Sequence, residues 1–273
     1  MPNHASFRAF LIGADSLLLE CASLLLERGH DLAGIVSDAP RVRSWARQHG
    51  VRTLSLAEYA QVLAAEPFDY LFSITHLALI PEAVLRLPRR AAINFHDGPL
   101  PRYAGLNAPA WALLRGEREY GISWHLILPG GGIDEGDVLK QRLFELADGE
   151  TSLSLNTRNF AVAIECFAEL VDELAAGTAQ PAAQDLSVRS YFGKHLRPEA
   201  ACVLDLERPA AELAALVRAL DFGDYDNTLG LPKLWHRGRA VLVRRAELRS
   251  ETPAAAGCVS ALSADALELA TAE

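Results

Sequence analysis

The 273-residue chain is long enough for one large α/β domain with a smaller appendage, since domains run roughly 100–200 residues. Half of the residues are hydrophobic and 22% are charged, a balance that excludes a disordered chain. A formal net charge of -9, with no Lys or Arg run suited to following phosphates, argues against nucleic acid as the primary partner.

The four cysteines, Cys21, Cys166, Cys202 and Cys258, are far apart and form no C-x-x-C pair, so buried reduced thiols are expected instead of a zinc or redox site. The first residues show no basic n-region of the kind that opens a secretory signal, and no apolar run approaches the ~20 residues needed to span a bilayer. The reading is a soluble, cytoplasmic protein without membrane contact.

Phe7 to Ile12 reads as a buried strand closed by Gly13, and Leu18, Cys21, Ala22, Leu25 and Leu26 follow at helical spacing. Gly29 stands where a helix C-cap glycine belongs. Leu32 to Val36 then reads as a second buried strand, which predicts a parallel pair joined by a right-handed crossover. The pattern continues with a helix over Val42 to Gln48 closed by Gly50, a short helix over Leu56 to Ala64, and strands over Tyr70 to Ile74 and Ala91 to Phe95. Such alternation predicts an α/β fold: a Rossmann-like, mostly parallel sheet with helices on both faces. The first turn reads Gly13-Ala14-Asp15-Ser16-Leu17-Leu18, and without G-x-G-x-x-G a dinucleotide cofactor such as NAD is disfavoured.

In open α/β sheets ligands bind at loops leaving the carboxyl ends of strands, so the Gly- and Pro-rich loop from His96 to Asn107 is the first candidate site. Ala108 to Leu114 reads as helix. Ile122 to Leu128 and Asp137 to Leu146 read as strands joined by Pro129-Gly130-Gly131-Gly132-Ile133-Asp134-Glu135-Gly136, a second candidate loop whose glycines permit close backbone approach to a ligand. A long amphipathic helix with Phe160, Ile164, Phe167, Val171 and Leu174 on one stripe ends at Gly177.

These elements put a catalytic domain at residues 1–177, a less regular linker containing Pro181 at 178–197, and a small C-terminal α+β unit at 198–273. That unit has a helix over Ala210 to Leu220, a strand over Ala240 to Arg244, and a hairpin from Cys258 to Leu262 and Leu267 to Ala270. The last strand finds no further partner before Glu273, so a domain cut from a longer polypeptide is expected.

Asn94, His96 and Asp134 carry the chemistry, although each alone is an ordinary polar residue at a strand end or turn. Their setting is specific: Asn94-Phe95-His96-Asp97-Gly98-Pro99-Leu100-Pro101, then Gly105, Pro109, Trp111 and Gly116-Glu117, then Gly121 to His125, then Ile133-Asp134-Glu135-Gly136-Asp137. Over roughly Phe7 to Glu173 this ordered set closely resembles the folate-dependent formyltransferases. That family includes enzymes acting on methionyl-tRNA and on sugars, and formylation domains of nonribosomal peptide synthetases.

The resemblance implies that Asn94, His96 and Asp134 match the family's catalytic Asn, His and Asp. An Asn amide and a His N–H can donate to the oxygen that gains charge when an amine attacks a formyl carbon, and a carboxylate can orient the His or take the amine's proton. The implied donor is 10-formyltetrahydrofolate. Its implied contacts are Thr75, His76, Leu77 and Ile80, then Asp97, Gly98 and Leu100, then Gly131, Gly132, Ile133 and Gly136. The sequence departs from the family's common Ser-Leu-Leu-Pro loop at Asp97-Gly98-Pro99-Leu100-Pro101, which leaves Asp97 either as a carboxylate near the formyl group or as a solvated loop acid.

His125 falls in an alternating strand and reads as a core or hydrogen-bonded residue, and Trp111 and Trp124 read as core. The wording from His96 to Pro109 and from Asn227 to Trp235 looks most like formylating domains embedded in peptide or polyketide synthetases. The implied partners are a carrier protein presenting an aminoacyl thioester on a phosphopantetheine arm and the neighbouring synthase domains. A sugar N-formyltransferase, a relative using another acyl donor such as a coenzyme A thioester, and a catalytically silent module are the competing readings.

Overall fold

Apolar runs alternating with helical stripes produce a doubly covered sheet in the computed structural model, which describes residues 5–249, 256–262 and 267–271. First come β1 (Arg8–Gly13), α1 (Asp15–Glu27), β2 (Asp31–Val36), α2 (Pro40–Gln48), β3 (Thr53–Leu54), α3 (Tyr59–Ala65), β4 (Tyr70–Ile74), α4 (Glu82–Leu85) and β5 (Ala91–His96). Next are β6 (Ala104–Gly105), α5 (Ala108–Leu114), β7 (Glu119–Leu126), β8 (Val138–Glu145) and the long α6 (Ser152–Ala176). Beyond these lie β9 (Tyr191–Phe192), α7 (Ala210–Ala219), β10 (Lys233–His236), β11 (Arg239–Leu242), β12 (Val259–Leu262) and β13 (Leu267–Leu269).

The main sheet has seven strands in the order β3-β2-β1-β4-β5-β7-β8. The first five run parallel, and β7 turns antiparallel against β5. On the far side of β7, the Leu126 N–H donates to the Asp137 carbonyl at 2.9 Å while Gly121 abuts Arg142, so β8 also runs antiparallel to its neighbour. The α/β, Rossmann-like, mostly parallel architecture read from the sequence is the one found.

Strand order reverses between β1 and β4, which opens a crevice at their carboxyl ends. Glycine is required there: Gly13 has φ +146°, and a Cβ on it would sit 1.7 Å from the Ile74 carbonyl oxygen. Thr75 bridges the same point, its hydroxyl donating to the Ala14 carbonyl and accepting the Ala14 N–H.

Alternation along the strands builds two cores. On one face Leu11, Phe72, Ile93, Phe95, Ile122 and Trp124 pack against α1 and α6. Phe167 of α6 lies 5.1 Å from the Phe72 ring and 4.9 Å from Trp124, so truncating it to Ala would cost about 3–5 kcal/mol. On the other face Phe10, Ile12, Leu71 and Ala92 pack against Tyr59 and Leu63 of α3 and Val84 of α4.

The described chain forms two compact units. One comprises residues 1–106, 120–144 and 158–191 and holds both cores of the sheet. The other comprises residues 107–119, 145–157 and 192–273. Within this second unit Trp111 stacks on Phe192 with centroids 5.0 Å apart, and Leu213 and Val217 of α7 cluster with Leu204. Asn227 closes a turn there, accepting the Leu229 N–H at 2.9 Å and donating to the Leu220 carbonyl at 2.8 Å.

Some details depart from the sequence reading. β3 and α4 are too short to show a period, and β10 adds a partner for β11 that the reading left unassigned. Cys21, Cys166 and Cys202 are buried, but Cys258 is exposed, because it follows the Gly257 turn instead of entering a core. Glu273, on which the expectation of an unfinished unit rests, lies outside the described residues. Among the described residues no helix is long and apolar enough to cross a membrane.

Candidate active site

The alternation that sends Ile93 and Phe95 of β5 into the α6 core sends Asn94 and His96 to the opposite face. The antiparallel register of β7 sets His125 across from Asn94 and Ser123 across from His96. Four polar residues therefore share one patch of an otherwise apolar pair of strands.

Asp134 completes the patch from the β7–β8 loop, with a left-handed backbone at φ 56°. Its Oδ2 accepts the Gly105 N–H at 2.8 Å and lies 3.7 Å from His96 Nδ1, while its Oδ1 lies 3.4 Å from His125 Nε2. Asn94 Nδ2 lies 3.2 Å from the same His125 Nε2. The structure thus gathers Asn94, His96 and Asp134, with His125 between Asn94 and Asp134.

Backbone carbonyls set the two imidazoles. His96 Nε2–H donates to the Tyr103 carbonyl at 2.8 Å, which leaves Nδ1 facing Asp134 and, at 4.0 Å, Asp97. His125 Nδ1–H donates to the Leu126 carbonyl at 2.9 Å. Its Nε2 accepts from the Asn94 amide in the neutral ring and donates to Asp134 in the protonated one.

The two carboxylates differ. Burial works against the ionised form of Asp134, but the charge of His96, the hydrogen bond and charge of His125 and the Gly105 N–H outweigh it and hold the carboxyl well below the ordinary carboxylate range. Burial pushes the Asp97 carboxyl up, against the pull of His96 and with a small push from Asp134. Two neighbouring acids driven apart in this way can divide the work of holding and moving a proton.

The loop after β5 is stitched down from β7 and β8. The Ser123 hydroxyl donates to the Gly98 carbonyl at 2.8 Å and accepts the Leu100 N–H at 3.1 Å, and Gln141 Nε2 donates to the Leu100 carbonyl at 2.8 Å. The Tyr120 hydroxyl donates to the Asp97 carbonyl at 2.7 Å. Gly98 and Leu100 therefore have main-chain groups engaged within the protein, whereas the Asp97 side chain keeps 30% of its surface exposed. A Cβ on Gly98 would lie 2.8 Å from His96 Nε2, which explains the glycine.

Of the other residues implied in folate contact, Thr75 ties β1 to β4, His76 is half-buried with its imidazole pK lowered by burial, and Ile80 packs on the α3–α4 core. Leu77 and Leu79 are 81% and 79% exposed, and Ile133 is also exposed. Apolar side chains presented this way on site loops suit a planar ligand ring. In the glycine loop, the Gly131 N–H donates to the Leu128 carbonyl at 3.0 Å, a Cβ on Gly132 would strike the Glu135 carboxylate, and one on Gly136 would sit 1.9 Å from the Leu126 carbonyl oxygen.

Sequence reasoning missed Ser123, Gln141 and Gln184, and took His125 for a residue apart from the chemistry. Ser123 and His125 had a signal: they alternate with Ile122 and Trp124 on a strand that is buried on both faces. Gln184 had none, since its partners lie about fifty residues away in the chain.

Residues 33–171 match the family model described as formyl transferase. Over 195 residues, 65% of this chain, the sequence is 31% identical to the methionyl-tRNA formyltransferase of Anaeromyxobacter dehalogenans, and the chain spans 62% of that relative's length. Identity to the methionyl-tRNA formyltransferase of Stutzerimonas stutzeri is 29% over 78% of this chain and 72% of that one. An N-formyltransferase of Helicobacter canadensis, solved with folinic acid and dTDP-3-aminofucose, superposes with a TM-score of 0.74 at 15% identity, covering 97% of this chain and 96% of that one. The sugar 3N-formyltransferase WlaRD, solved in the presence of dTDP and 5-N-formyl-THF, gives 0.74 at 17% identity over 90% and 87% of the two chains.

Proposed function

This chain belongs to the formyl transferase family, and on that premise we propose that it moves a formyl group from 10-formyltetrahydrofolate to an amine at the site of Asn94, His96 and Asp134. The observation that carries the reading is the convergence of His96 and His125 on the ionised Asp134 carboxylate at 3.7 and 3.4 Å, with the Asn94 amide 3.2 Å from His125. The exposed Leu77, Leu79 and Ile133 support a planar folate ring on the adjoining loops.

Asn94 Nδ2–H donates to the formyl oxygen as the amine adds and negative charge develops there; losing one such donor typically costs about 100- to 1000-fold in rate. His96 Nδ1 takes the proton that the amine sheds, and the carboxylates of Asp134 and Asp97 stabilise the cation so formed. His96 then returns that proton to the leaving folate nitrogen as its bond to the formyl carbon breaks. One formamide forms per formyl group consumed, and tetrahydrofolate leaves.

For the acceptor we propose the amino group of an aminoacyl thioester on a carrier protein, with neighbouring synthase domains as partners, in the cytoplasm. The wording from His96 to Pro109, with Asp97-Gly98-Pro99 in the loop, and from Asn227 to Trp235 supports this, and so does an acidic chain poorly suited to neutralising RNA phosphates.

The test offers the purified chain 10-formyltetrahydrofolate together with, in separate reactions, an aminoacyl-loaded carrier protein, a nucleotide-linked amino sugar and methionyl-tRNA, with the product weighed by mass spectrometry. Formylation of the loaded carrier is expected. Formylation of the sugar or the tRNA alone would replace the acceptor, and transfer only from a coenzyme A thioester would overturn the donor.

A further inference from the structure

Asp134 occupies a conformation that its own loop does not secure. A left-handed backbone costs a non-glycine residue about 1 kcal/mol or more. Its carboxylate must nevertheless meet His96 from β5, His125 from β7 and the Gly105 N–H at once.

The fastening comes from residues 182–190. Gln184 Nε2 donates to the Asp134 carbonyl at 2.9 Å and to the Gly136 carbonyl at 2.6 Å. Arg189 Nη2 donates to the Ile133 carbonyl at 2.8 Å, and its Nε lies 3.6 Å from the Glu135 carboxylate. Val138 and Ala182 exchange both main-chain hydrogen bonds at 2.8 Å, which fixes the register of this segment on β8. At its other end the Ser190 hydroxyl accepts the Tyr103 N–H and the Ser190 carbonyl accepts the Ala104 N–H, both at 2.9 Å. One short segment thus ties the loop that carries Asp134 to the loop that presents Gly105 to it.

We propose that Gln184 is a positioning residue: its side-chain amide fixes the backbone on both sides of Glu135 and so aims the Asp134 carboxylate at His96, His125 and Gly105. The side-chain amide of Gln184 meets the requirement. Both partners are carbonyl oxygens, so the group facing them must be a pure donor. Among the described residues the buried Gln184 Oε1 has no hydrogen-bond partner, and the two carbonyls set which way the amide points. The role assigned to Gln184 rests on Asp134 being the working carboxylate of the proposed reaction, while the fastening itself stands on geometry.

The experiment follows the Asp134 carboxyl by carbon-13 NMR against pH in the whole chain, comparing wild type with Gln184→Met and Gln184→Ala, with thermal unfolding as the control for folding. Gln184→Met keeps the length without the donors; should it fail to fold, Gln184→Ala, which adds no bulk, decides. The charged and titratable groups facing Asp134 are His96, Asp97 and His125, with the Glu135–Arg189 pair flanking, and all remain in both variants. The Asp134 midpoint is expected to rise by about one pH unit or more, a roughly tenfold change in proton affinity, with kcat falling about tenfold or more and the donor KM holding within about threefold. A folded variant whose Asp134 midpoint stays at the wild-type value overturns the proposal. If the midpoint moves but wild type transfers no formyl group from 10-formyltetrahydrofolate, the positioning role stands and the proposed reaction falls.

Discussion

Asn94 and His125 stand opposite each other on adjacent antiparallel strands, with Asn94 Nδ2 3.2 Å from His125 Nε2, and the same nitrogen faces Asp134. His125 therefore stands between an amide on β5 and a carboxylate on a distant loop, and in its protonated form it donates to the carboxylate. Replacing it by Ala removes a hydrogen bond to a charged group, worth about 1.5–3 kcal/mol. The expected result is a kcat lowered about 10- to 100-fold with donor affinity held within about threefold, measured by steady-state kinetics and calorimetry.

The two acids give stability opposite dependences on pH. Asp134 titrates below its ordinary value in the folded state, so its contribution is present above the ordinary aspartate range and is lost as pH falls through the folded value. Asp97 titrates above its ordinary value, so its ionisation costs stability at neutral pH and costs nothing once pH falls below the ordinary range. Urea unfolding should show Asp134→Asn less stable than wild type near neutrality and Asp97→Asn more stable. The gain from Asp97→Asn should vanish only below about pH 3, and the loss from Asp134→Asn should shrink as the medium becomes more acid.

Gly136 is held by space. A methyl group there would enter the Leu126 main chain, so Gly136→Ala must push the β7–β8 loop outward, at about 1–3 kcal/mol. Thermal unfolding should fall by a few degrees and formyl transfer should fall at least tenfold, because Asp134 moves with the loop. Unchanged activity in this variant would detach the loop from the chemistry.

The exposed apolar side chains beside the site predict where the donor ring lies. Ile133→Ser and Leu77→Ser should each weaken binding of 5-formyltetrahydrofolate by roughly tenfold, on the order of burying one aliphatic side chain, without lowering the unfolding temperature. Affinity unchanged in both would move the folate elsewhere.

The sheet was legible because its strands are apolar runs separated by glycine-closed helices, and period is the signal that local sequence carries best. Asn94, His96 and Asp134 were singled out through a family resemblance, not through spacing, since nothing local marks Asp134 as a neighbour of His96. The role of Gln184 was hidden for the same reason, and the buried-strand alternation that marked Ser123 and His125 did not give their partners. A histidine and a serine on a buried strand look structural until the antiparallel register of β7 sets them beside Asn94 and His96, and Gln184 lies in a stretch without periodicity that sequence reasoning read as a linker.

The most direct measurement is calorimetric titration of 5-formyltetrahydrofolate, a stable stand-in for the 10-formyl donor, into the wild-type chain. Saturable binding at one site, weakened by Ile133→Ser, is the predicted result. A folded chain that binds no folate would contradict the account and return the question to another acyl donor.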